Sequence, residues 1–141
     1  MDHIIKMKVV FATLSILILA GCAGSPTSLR QDPGFKRAVT VEENYQSVYR
    51  RVLGILRQCT AYDISVGQII LENTLSPESK RAEILEINTP LYAKNYIFIY
   101  DFIGKNNNET EVVFYAALGL GGQRVEPYFL DWVHNRGKEC S

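Results

Sequence analysis

The chain has almost no histidine: His3 and His134 are its two among 141 residues. It also lacks a charge excess, with 15 basic and 15 acidic side chains. A balanced surface gives no electrostatic footprint for nucleic acid, which asks for a clearly basic face. It offers no polybasic patch for anionic lipid either. Beyond residue 22, two cysteines some 80 positions apart, one histidine and scattered acids do not form a spaced metal-ligand set. His134 follows Asp131 by three positions, yet no nucleophile or second carboxylate is tied to the same place, so no catalytic constellation is readable. Gly119 to Arg124 (GLGGQR) lacks the Gly-Lys-Ser/Thr ending of a phosphate loop and reads as a hinge whose glycines answer a need for positive φ. No cofactor is implied, and repeats and low-complexity segments are missing.

What the chain does have is an apolar run, Val9 to Ala20. As a helix it would reach about 18 Å, against a hydrocarbon core of about 30 Å. That is too short to span a bilayer and has the length of the apolar part of a signal peptide, with Lys6 and Lys8 as its positive flank. Met7 serves as a start as well as Met1 does. The run closes on Leu19-Ala20-Gly21-Cys22. These residues resemble the lipobox of bacterial lipoprotein signal peptides. The small Ala20 and Gly21 let a membrane-embedded peptidase approach the backbone, and the Cys22 thiol is the nearby nucleophile that could take a thioether-linked diacylglycerol. The resemblance implies cleavage after residue 21 and lipidation at Cys22 with palmitate-like chains. It also implies a cell-envelope location: Ala23, and not aspartate, after the acylated cysteine points to the outer membrane, facing the periplasm, in a Gram-negative cell.

Three cysteines are present. With Cys22 acylated, Cys59 and Cys140 remain, either as a disulfide or as a buried thiol and a loose one. An exposed free thiol is a liability, which favours the bridge. In the chain-entropy account a loop of about 80 residues is worth roughly 4 kcal/mol. Loss of Lys6, Lys8 and Asp2 with the leader shifts the formal charge to −1.

Residues 22–34 read as the acylated cysteine and a flexible tether, broken by Pro26 and Pro33. Residues 35–141 read as a single domain. Phe35 to Val39 is a candidate short strand. Thr40-Val41-Glu42-Glu43 has the form of a capping box. Behind it Val41, Tyr45, Val48, Val52, Ile55, Leu56 and Cys59 make a helical apolar stripe. Arg50, Arg51 and Arg57 take the other face, as a solvated surface or a meeting place for an anionic partner. Gly54 falls there too, merely tolerated or marking a close approach.

The period then becomes two. Strands are expected over Gly67 to Leu75, Lys80 to Asn88, Asn95 to Ile103 and Thr110 to Leu118. Tyr96, Phe98, Tyr100 and Phe102 are expected on one face of the third, as core or as a groove lining. Pro127 is expected to open a second helix that Gly137 stops. The predicted class is α+β: an antiparallel sheet of about four strands with two helices on one face.

This order, with the segment NYQSVYRRVLGILRQC, resembles the helix-grip domains of small envelope lipoproteins, such as those in the lipoprotein subunit of the β-barrel assembly machinery. The functional expectation is non-enzymatic: a lipid-anchored binding or scaffolding protein with an envelope protein partner. The alternative is a periplasmic carrier of a small apolar ligand or lipid.

Overall fold

The computed structural model describes residues 24–60, 68–90 and 93–141. The expected leader (residues 1–21) and Cys22 lie outside them. The fold is α+β. Five strands form one antiparallel sheet: β1 (Phe35–Val41), β2 (Ile69–Ser76), β3 (Arg81–Asn88), β4 (Asn95–Asn106) and β5 (Glu109–Ala116), in the order β1-β5-β4-β3-β2. Three helices accompany it: α1 (Pro26–Gln31), α2 (Tyr45–Cys59) and α3 (Gly122–Val133).

β4 lies at the centre, and this explains why its side chains are apolar on both faces. Tyr100 and Phe102 join Ile84, Val112 and Phe114 beneath α2 and α3, which contribute Val48, Val52, Leu56, Phe129 and Trp132. Ile99 points the other way, to a smaller cluster with Leu85, Ile87, Val113, Tyr115 and Leu29 of α1.

Several sequence expectations need correction. The predicted tether contains α1, with Leu29 only 1 % exposed. Pro26 reads as a breaker, but at the first helical position its missing N–H is harmless. Ser25 caps the helix: its hydroxyl accepts from the Ser28 amide, while Ser28 returns a side-chain contact to the Ser25 backbone. The candidate strand Phe35 to Val39 is extended to Val41 as β1, paired with β5 over seven residues, and makes five strands of the expected four or so. Two helices do share a face, but the third lies across the sheet from them.

The Thr40–Glu43 capping box does not form. Thr40 and Val41 finish β1 opposite Glu111 and Thr110, and Asn44 caps α2 by accepting from the Gln46 amide at 2.9 Å. α3 begins five residues before Pro127, which sits inside it. The start is set by close packing: a Cβ on Gly122 would lie 2.7 Å from those of Ala116 and Phe35. Gly119 and Gly121 do adopt positive φ, 80° and 73°.

The file of aromatics is split. The β3–β4 register pairs Ile87 with Tyr96 but Glu86 with Phe98, so Ile97 is an extra residue. This bulge turns Tyr96 to the α1 side while Phe98, Tyr100 and Phe102 remain on the α2/α3 side. There they are core: Tyr100 and Phe129 flank Phe114 at centroid distances of 5.1 and 5.2 Å.

Candidate binding face

The face carrying α1 holds the most polar arrangement in the molecule. Glu83 of β3 and Asp101 of β4 are direct cross-strand neighbours. Like charges so placed repel. Arg30 resolves this by reaching from α1: its Nε donates to Asp101 Oδ2 at 2.8 Å, and Nη2 donates to Asp101 Oδ1 and to Glu83 Oε2, each at 2.6 Å. The hydrogen bond to Asp101 holds the guanidinium protonated beyond its ordinary range, against the opposing effect of burial. α1 is thus fastened twice, by Leu29 in apolar contact and by Arg30 in a half-buried charge cluster.

Beside this cluster a groove of about 480 Å³ opens along the sheet. Ile103 and Tyr115 provide apolar surface, and Thr74, Ser76, Ser79 and Arg81 give it a polar rim. The rim belongs partly to β2, an outermost strand. The Thr89 amide donates to Gln68 O at 3.0 Å, and the β2–β3 register then runs without a shift. Antiparallel alternation therefore aims the backbone of Ile70, Glu72, Thr74 and Ser76 at β3, and that of Ile69, Leu71, Asn73 and Leu75 at the outer edge. No described strand pairs with that edge.

A second polar group lies on the other face, inside the core. Glu86 is 6 % exposed, and the wholly buried Tyr100 donates to its Oε1 at 2.8 Å. Burial pushes the Glu86 carboxyl up to about 7, with the Tyr100 hydrogen bond pulling the other way. Burial also raises the Tyr100 phenol, and the neighbouring Glu86 adds to it. A carboxyl that holds its proton near neutrality could act as an acid, but this one is buried opposite Phe98, bonded to Tyr100, and lines none of the groove. The sequence does hold a signal for it: Ala82, Ile84 and Glu86 share one strand parity, so a glutamate falls where the core requires an apolar residue.

Cys59 and Cys140 form a disulfide with Cα atoms 5.3 Å apart, joining the end of α2 to the C-terminal tail. Arg51 is engaged within the fold. Its Nη1 and Nη2 donate to the two carboxylate oxygens of Glu43, at 2.7 and 2.8 Å. Its Nε and Nη2 donate to the carbonyls of Trp132 and Val133, at 2.9 and 2.7 Å. A guanidinium on the last carbonyls of α3 is favourable both as a cap and against the helix dipole. Arg50 and Arg57 stay on the exposed face. Gly54 also lies there with nothing near its Cβ position, so it is merely tolerated. His134 is exposed just past α3, where Asp131 is engaged by Arg136 at 3.2 Å.

Among the described residues no three His, Cys, Asp or Glu side chains converge as a metal would need. No described helix is long and apolar enough to cross a membrane. No family model matches the chain, and no curated protein matches it in sequence.

Proposed function

We propose that this is a lipid-anchored envelope protein whose folded head binds a partner protein and catalyses nothing. The observation that carries the reading is Leu19-Ala20-Gly21-Cys22, placed three residues ahead of Ser25, where the chain docks on the head. Acylation there would hold the head close to a bilayer, with Ala23 directing it to the outer membrane in a Gram-negative cell. Strand, helix, four consecutive strands and helix follow one another as in a helix-grip domain, which supports the likeness to envelope lipoproteins. The groove and the unpaired outer backbone of β2 together suit an extended segment of the partner. Such a segment would take its main-chain hydrogen bonds from the edge and its side-chain contacts from the groove.

Metabolic labelling with fatty acid tests the anchor. The parent protein incorporates label and a Cys22→Ser form does not; equal labelling of the two overturns the reading.

The alternative is a carrier of a small apolar ligand or lipid. The groove volume favours it, since ligand sites start at about 300 Å³. Its walls disfavour it, because the charges of Arg30, Arg81, Glu83 and Asp101 stand among the apolar side chains. Saturable uptake of a fluorescent fatty acid by the acylated protein, abolished by Ile103→Glu, would establish the carrier in place of the scaffold.

A further inference from the structure

Leu118 and Leu120 are the exposed large hydrophobic residues among those described, Leu118 at 87 % and Leu120 at 41 %. They stand two positions apart in the link between β5 and α3, and that link is held firmly. The Gly34 amide donates to Ala116 O at 2.9 Å, and the Ala117 amide to Ile97 O at 2.9 Å. A Cβ on Gly34 would lie 2.3 Å from Leu118 Cα, so the chain leaving α1 is pressed against this link. The Leu120 amide closes back on Ala117 O at 3.3 Å, with Gly119 and Gly121 supplying positive φ on either side. Two leucines are therefore presented outward together on a braced tip. The Arg124 side chain is alongside: its guanidinium atoms come within 3.8 Å of the Cβ position of Gly121. None of the described salt bridges uses it.

We infer that Leu118 and Leu120 insert into the lipid surface to which the chain is anchored, with Arg124 meeting anionic headgroups. The inference rests on acylation at Cys22. Chain length allows it. Three residues lead from Cys22 to Ser25, the six of α1 add about 9 Å, and three more reach Gly34 beside Leu118, about 30 Å in all at full stretch. A bilayer holding Cys22 is thus within reach of the tip. An exposed apolar pair with a cation beside it has the composition of an interfacial contact, apolar groups below and positive charge at headgroup level. The lipid chains and the two leucines would then fix which side of the head faces the membrane.

The test places the sole exposed indole at the tip. Leu118→Trp alters a side chain almost free of contacts, and the native Trp132 is buried and serves as a constant background. The full acylated protein is reconstituted in vesicles of phosphatidylethanolamine and phosphatidylglycerol, with and without acyl-chain-brominated lipid. The expected result is at least a twofold loss of the added emission with brominated lipid, while the parent changes little. Leu118→Trp with Leu120→Asp should lose most of that quenching. If the acylated protein floats with the vesicles and the added indole emits as in water, the tip does not insert and the inference is overturned, with the anchor intact. If the protein carries no acyl chains and does not float, the anchor and the inference fall together.

Discussion

The two faces of the sheet are built on different terms. Under α2 and α3 the side chains of β3, β4 and β5 are closed off, and even the polar Glu86 is taken out of water. Across the sheet a single helix of six residues covers part of the surface, and beside it a groove stays open with both signs of charge on its walls. The first face supplies the cohesion of the head. The second rests on less, since what fastens α1 is one leucine and one arginine. The proposed binding surface beside the proposed anchor would gain from that arrangement if α1 shifts while the core stays fixed.

The sharpest way to break this contrast is to cut equally deep on each side. Phe129→Ala removes a wholly buried ring stacked on Phe114 and should cost about 3–5 kcal/mol of global stability, read by urea unfolding. Leu29→Ala removes a side chain just as buried, and its nominal cost is about 2–5 kcal/mol. Here the loss should be capped by undocking of α1: amide exchange over Pro26–Gln31 accelerates while the exchange of β4 stays slow. Equal acceleration throughout would mean that both faces belong to one cooperative unit.

Glu86 gives the contrast a pH dependence. Its carboxyl holds a proton up to about pH 7 in the folded chain, against an ordinary value of 4.5. Below pH 4.5 both states are protonated and nothing is lost. As pH rises from 4.5 to 7 the folded state must give up a buried proton or forgo ionisation, so stability falls, by up to about 3 kcal/mol, and then levels off. Glu86→Gln can still accept from Tyr100 and should remove this component. The difference between parent and variant, followed by urea unfolding from pH 4.5 to 8, should fall through that window; a flat difference would place the carboxyl in contact with water.

The smallest effect belongs to the solvent side of α2. Gly54→Ala meets no neighbour and should stabilise by up to about 1 kcal/mol, seen as a rise in Tm. A loss instead would show that this helix face is covered.

Periodicity made one face readable and left the other obscure. Val48, Val52 and Leu56 recur at helical spacing because a whole stripe is buried, and the strands alternate because the sheet is covered. Leu29, by contrast, is a lone apolar residue between two prolines, and nothing in its neighbours distinguishes a docked turn from a loop. The Ile97 bulge adds one residue without any glycine or proline to mark it, so strict alternation puts Tyr96 on the wrong side. Arg51 looks like a solvated charge beside Arg50, since the carbonyls it caps come some 80 positions later. The pairing of Cys59 with Cys140 was readable in kind, from two sulfurs left over, but their meeting depended on where α2 ends against the tail.

The proposed function requires that the open face be the one that meets a partner, and in-cell photocrosslinking tests this directly. A benzophenone amino acid replacing Thr74, on the groove rim, should yield one discrete adduct with an envelope protein, and the same probe replacing Arg57 on α2 should yield none. An adduct from Arg57 with Thr74 silent, or the same adduct from both, would contradict it.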